Sequence, residues 1–219
     1  MNQPFKKRYV TCISTAVLLA PLSVVAQDEP GLYASVHLGV PAAPSTRFSE
    51  VRATGPAVGG KVEFGGGIGF GAALGRRFGN GWAVELALDE RGNNLRRVGG
   101  VAVDGNIFSE AIFVNGYYRF PARGTLRPFI GAGVGYVRAL DIDVDRDGSE
   151  LEYSREGDVA VQAIGGAEYS LSSRWRLSGD VRWTRIGSGA FKASTAGSML
   201  TGKPKYEPVS LNLGLRFLF

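Results

Sequence analysis

The sequence predicts an all-β fold: an eight-stranded antiparallel up-and-down transmembrane β-barrel preceded by a cleavable signal peptide. Three observations predict it. Residues 209–219 alternate apolar side chains with polar or small ones up to a terminal Phe219, which suits a wall with lipid outside and a polar lumen inside. The same two-faced pattern recurs upstream at regular spacing. The connections between the repeats alternate long and short, the habit of barrels with long extracellular loops and short periplasmic turns.

The start of the chain predicts the compartment. Lys6, Lys7 and Arg8 precede an apolar stretch over residues 10–25, broken by Thr11, Ser14, Thr15 and Ser23. Val24-Val25-Ala26 then forms a small-residue cleavage site before Gln27. This is the pattern of a secretory signal peptide, residues 1–26, leaving a single domain over 27–219. The stretch is shorter than the roughly 20 residues a spanning helix needs. Cys12 lies within the leader, so the mature chain has no cysteine and no disulfide framework. The whole chain carries 25 basic and 20 acidic residues, and removal of the leader's three basic residues leaves 22 against 20. No basic stripe with interleaved aromatics survives, which excludes a nucleic-acid role.

The expected strands cover about 31–40, 60–75, 82–91, 107–120, 126–140, 158–170, 175–187 and 206–219. One parity of each is apolar. In chain order the outward sets are Leu32, Ala34, Val36 and Leu38; Phe64, Ile68, Phe70 and Leu74; Trp82, Val84, Leu86 and Leu88; Ile112, Val114, Tyr118 and Phe120. They continue with Ile130, Ala132, Val134 and Tyr136; Val159, Val161, Ala163 and Tyr169; Trp175, Leu177, Val181 and Trp183; Leu211, Leu213, Leu215, Phe217 and Phe219. A soluble β-sandwich would alternate in the same way, and the connections separate the two. The long ones run over 41–59, 91–106, 141–157 and 188–205, the short ones over 76–81, 121–125 and 171–174. Trp82, Tyr118, Phe120, Tyr169, Trp175 and Phe219 gather at the short-turn end, as an interfacial aromatic girdle should.

The opposite parity fills the lumen. It supplies Glu63, Glu85, Asp89, Glu168 and Asp180 against Arg119, Arg127, Arg176, Arg182 and Arg216, a balanced set. An eight-stranded barrel is just wide enough for its side chains to fill. Glycines on the second and fifth strands leave room for the arginines, so the expected lumen is a plug of ion pairs.

Gly67-Ile-Gly-Phe-Gly-Ala-Ala-Leu-Gly-Arg-Arg-Phe-Gly-Asn-Gly-Trp82, Arg127-Pro-Phe-Ile-Gly-Ala-Gly-Val-Gly-Tyr136 and the strand over 210–219 resemble small outer-membrane β-barrel proteins. The similar types are the OmpA-like barrel domain, the opacity-type adhesins and the surface antigens of Gram-negative bacteria. The resemblance covers the whole mature chain and implies a surface barrel in the bacterial outer membrane, without the periplasmic peptidoglycan-binding domain of full OmpA-type proteins. It also implies that the barrel-assembly machinery reads the strand ending in Phe219.

Three spots could carry chemistry. His37 shares a face with Ser35, and a symmetric first hairpin would set Glu63 opposite. These are the parts of an acyl-transfer site, but the parity points inward, which fits a lumen hydrogen bond better. Asp143, Asp145 and Asp147 followed by Gly148 match the first half of a calcium loop. Position 12 is Ser154, so any calcium binding there should be weak. The alternative is a solvated acidic loop, since residues 141–157 hold seven acids and two arginines. Arg138 and Arg185, outward near the long-loop end, could reach lipopolysaccharide phosphates. The sequence thus predicts a non-enzymatic barrel that displays four loops for surface interaction or envelope integrity, with a host or envelope protein as partner. A narrow solute pore and a lipid-editing enzyme are the alternatives.

Overall fold

In a computed structural model, the structure describes residues 30–51, 58–146, 149–187, 191–193, 199–201 and 205–219. The expected signal peptide lies outside them. The chain is all-β. Its long strands are β1 (Gly31–Ala42), β3 (Val58–Arg77), β4 (Trp82–Val98), β6 (Asp104–Arg119), β7 (Leu126–Arg146), β9 (Asp158–Ser170), β10 (Trp175–Ile186) and β13 (Val209–Leu218). These eight close into one antiparallel ring in the order β1–β3–β4–β6–β7–β9–β10–β13, and β13 returns to β1. Closure leaves no unpaired edge, the condition for crossing a bilayer with strands.

The outward parity is the expected one. Leu32, Ile68, Leu86, Ile130, Val159 and Leu211 all project from the ring, and Ile68 is 72% exposed. A monomer in water would not present so wide an apolar belt; hydrocarbon requires it. At the short-turn end Trp82, Tyr118 and Phe120 pack edge to face at 5.2 and 5.1 Å. Phe217 and Phe219 do the same at 5.3 Å, and Trp175 packs tilted against Phe217 at 4.9 Å. The turns are short, and Gly79 and Gly81 give the first one its left-handed backbone, with φ of 78° and 87°.

The long connections differ from the sequence expectation, because much of their length is strand. β4 continues to Val98, and β7 to Arg146, where β8 (Ser149–Arg155) folds back on it. Short strands β2 (Thr46–Val51), β5 (Val101–Ala102), β11 (Phe191–Ala193) and β12 (Met199–Thr201) complete the set. β2, β12, β11 and β8 take the places that β1, β13, β10 and β9 held below. The order β3–β4–β6–β7–β8–β11–β12–β2, closing on β3, makes a second ring above the first. We call this ring the crown.

The crown is lined by apolar side chains. Leu95, Ile107, Leu140, Ile142, Val144 and Tyr153 form one buried cluster that Phe191, Tyr206 and Ile186 join. Two bulges produce it. Along β7 the apolar residues keep even numbers from Ile130 to Val144. Arg138 is an extra residue in the β6–β7 register, between the pairs Ala111–Val137 and Glu110–Ala139. The row that faces lipid below it therefore faces the interior above it. Gly65 and Gly66 do the same on β3, where the register slips between Phe64 and Gly67. This corrects two expectations. Phe64 turns inward and meets Tyr206 at 6.0 Å, while Glu63 turns outward to Lys61 at 3.0 Å.

Candidate functional site

The chemistry-bearing residues lie inside the lower ring, on the inward parity of its strands. Strands place alternate side chains on one face, so Glu85, Asp89, Arg91 and Asn93 of β4 stack along the lumen wall. Glycines across from bulky residues make the space. Gly71 faces His37 and Gly75 faces Tyr33, while Gly131 and Gly133 face Tyr117 and Asn115. A Cβ at Gly71 would lie 2.2 Å from the His37 ring, and one at Gly133 would lie 2.0 Å from the Asn115 amide. The expected room for arginines is therefore taken by the rings and amide of neighbouring strands.

Two linked networks fill the lumen. In the lower one, Glu85 accepts hydrogen bonds from the Tyr33 and Tyr117 hydroxyls, both at 3.0 Å. Arg216 pairs with Glu168, reaches Glu85 at 3.6 Å and lies over the Tyr33 ring at 4.3 Å. In the upper one, Asp89 is held by Arg91 at 2.8 Å, Arg182 at 3.0 Å and His37 at 3.3 Å. Arg182 also approaches Asp180 at 3.6 Å, and Asn212 donates to Asp180 at 2.7 Å. Above this network Asn93 accepts from the Tyr206 hydroxyl at 2.6 Å and donates to the Pro41 carbonyl at 2.8 Å. Buried charges persist only when paired and hydrogen-bonded in this way.

Of the expected lumen charges, Glu85, Asp89, Glu168, Asp180, Arg119, Arg176, Arg182 and Arg216 are buried, and Arg127 is half-buried. Glu63 is not among them. Sequence reasoning missed Arg77 and Arg91, both buried, because it ended their strands at residues 75 and 91. The continuing odd-numbered row Glu85, Asp89, Arg91, Asn93 was the available signal. Among the described residues the lower lumen therefore holds seven arginines and four carboxylates, not the balanced set expected.

His37 pairs in register with Gly71, not Glu63, and its carboxylate partner is Asp89. Ser35, Ser178 and His37 line a small cavity of about 20 Å³ together with Glu85, Asp180 and Arg182. The cavity lies among inward-facing side chains of the lumen.

On the crown's outer face, β7 and β8 bring acids together. Asp143 stands opposite Glu152, and Asp145 opposite Glu150. On the other side of β7, Asp104 of β6 stands opposite Asp145. Like charges directly opposite destabilise a sheet. Burial, and then Asp143, Glu152 and Glu156, raise the Asp141 carboxyl above its ordinary range. Asp143 and Asp145 sit on extended strand rather than a curled loop, and Asp147 lies outside the described residues. Among the described residues no three acidic, histidine or cysteine side chains could hold a metal ion. Arg138 pairs with Glu110, and Arg185 with Glu207 at 3.3 Å, all near the junction of the two rings.

Comparison with known proteins agrees with this architecture. The outer membrane protein beta-barrel domain family matches residues 12–217. No curated protein matches the chain. Among solved structures, the outer membrane protein OprG from Pseudomonas aeruginosa is similar at 15% identity and a TM-score of 0.57. That match covers 87% of this chain and 99% of OprG. The outer membrane protein AlkL is similar at 18% identity and a TM-score of 0.51, over 91% of this chain and 95% of AlkL. The closed ring, its apolar belt and the family match lead to one identification: the chain belongs to the outer membrane protein β-barrel family, and its place is the bacterial outer membrane.

Proposed function

We propose that the protein is a non-enzymatic barrel whose crown is a recognition surface for a host or envelope protein. The lower ring serves as its anchor. The observation that carries this reading is the second closed ring. A barrel that only had to conduct would not need an apolar-cored extension above the bilayer. Such a core holds an exterior rich in charge in a fixed arrangement, and rigid presentation lowers the ordering cost of binding. Arg138 and Arg185, at the level where the rings meet, suit contact with lipopolysaccharide phosphates. Weak calcium binding by Asp143, Asp145 and Asp147, suggested by their spacing in the sequence, belongs to the same proposal.

The test is display of the barrel on a host surface that lacks other adhesins, followed by binding to cells and to envelope extracts. The reading expects binding that disappears when the acids Asp141, Asp143 and Glu152 are replaced by Asn and Gln, with barrel folding kept. Equal binding by the bare host, or by the neutralised crown, would contradict it. A narrow pore is the second reading, favoured by the lumen's excess of positive charge. It expects regular, anion-selective single-channel steps in planar bilayers, where the first reading expects none.

A further inference from the structure

We propose that the floor of the lumen, at the short-turn end, is a binding site for a small oxyanion, a phosphate or a carboxylate. The floor holds a narrow cavity, open at the turn end and wide enough for about one water-sized group, lined by Arg77, Arg119, Arg127, Arg176, Glu168 and Ser170. The arginines come from different parts of the ring: Arg77 from the end of β3, Arg119 from the end of β6, Arg127 and Arg176 from the starts of β7 and β10. The barrel wall makes them converge; their places in the chain do not. Arg77, Arg119 and Arg176 are only 6%, 4% and 6% exposed, so their charge is concentrated on the cavity and screened little by water.

The local balance favours an anion. The one carboxylate in the lining, Glu168, is held by Arg216 from above. The excess of arginines over acids in the lower lumen gathers at this level. Arg77, Arg119 and Arg127 each hold an interaction within the protein. Arg176 uses its Nη1 on the carbonyls of Ser172, Ser173 and Trp175. None of this exhausts the site, because each guanidinium offers about five N–H donors in a planar fork. Forks arranged around a cavity suit the oxygens of phosphate or carboxylate, to which they donate in pairs. A polymer chain cannot pass through so narrow a cavity, and an anion at its mouth can set one oxygen among the forks. Above it the Glu85, Tyr33, Tyr117 and Arg216 network closes the lumen. The ligand therefore enters and leaves by the same mouth, which the family's topology sets on the periplasmic side.

The experiment uses the folded barrel in lipid nanodiscs, with sodium phosphate and sodium acetate as probes. Each is compared with sodium chloride at equal ionic strength by calorimetric titration and thermal unfolding. Millimolar phosphate or acetate should raise the unfolding temperature beyond the chloride control. Arg127→Gln removes the most accessible fork and should weaken binding roughly tenfold, the loss of about one charge-assisted hydrogen bond. Heat-modifiable gel mobility reports that the variant remains folded. Ala122→Glu, in the exposed turn at the mouth, is the second variant. It supplies a tethered carboxylate and should abolish the response to both probes. A response to phosphate alone would point to phosphate groups, free or on lipid. An equal response to acetate would point to carboxylates such as those of peptides. Stabilisation matched by chloride, or a response unchanged in both variants, would overturn the proposal.

Discussion

The lower ring and the crown are both closed eight-stranded walls, and they share β3, β4, β6 and β7. Their insides are opposite. Below, Glu85, Asp89, Arg91, Arg182 and Arg216 fill the lumen while leucine, valine and isoleucine face out. Above, Leu140, Ile142 and Val144 fill the interior, while Asp141 and Asp143 lie on the outer face. The solvent decides the difference. Hydrocarbon outside the wall removes the reason to hide apolar side chains, so the inside is free for polar groups if all are satisfied. Water outside the crown restores the ordinary hydrophobic effect. The strands do not change their alternation to meet the new solvent. A bulged residue on β7 and a glycine pair on β3 rotate the same row through the wall.

The comparison predicts where substitutions hurt. The largest loss should come from breaking the polar plug. Arg216→Ala removes the cation that bridges Glu168 and Glu85, and should cost about 3–5 kcal/mol, read from urea unfolding in lipid vesicles. A neutral result would mean that water, rather than Arg216, solvates those acids.

An apolar pair sharpens the contrast. Leu140→Ala in the fully buried crown opens a cavity, and should cost about 3–5 kcal/mol. Ile130→Ala on the lipid face loses only its transfer term, about 2 kcal/mol, because lipid closes the gap. The same unfolding measurement checks both. Equal losses would show that the crown packs no better than the belt does against lipid.

The smallest effect is that of pH on the crown. The Asp141 carboxyl is raised above its ordinary range by burial and by Asp143, Glu152 and Glu156. An acid shifted upward on folding stabilises the fold below its unfolded value, near about 4, and loses that contribution as pH rises through the folded value. Protease cleavage of the β7–β8 hairpin should therefore be slower in mildly acidic buffer than at neutral pH. Asp141→Asn should flatten the profile. A profile that keeps its slope in this variant would place the titration elsewhere.

The lower ring could be read from the sequence because each strand obeys one rule from end to end. Glu85, Asp89, Glu168 and Asp180 were found by parity alone. The reading fails where a local insertion changes what parity means. Parity puts Phe64 and Glu63 on the wrong faces because nothing in Gly65-Gly66 distinguishes a bulge from two more strand residues. The crown's sequence reads as loops for the same reason, since its pattern is broken by Arg138 and its partner strands are short. The arginine floor was only partly seen: Arg77 looked like turn, and convergence across a ring is a property of closure that no local pattern carries.

The claim that the same row of β7 crosses from lipid to core can be measured directly. Residues 27–219 contain no cysteine, so single cysteines at residues 130–144 of that segment can each carry a spin label in lipid vesicles. Collisions with oxygen, which concentrates in lipid, and with a water-soluble nickel complex report the surroundings of each label. Even positions should collide with oxygen as far as Tyr136. Leu140, Ile142 and Val144 should then be shielded from both reagents, while Asp141 and Asp143 become accessible to nickel. Oxygen access that stayed on even positions through Val144 would contradict the inversion, and with it the account of two rings with opposite interiors.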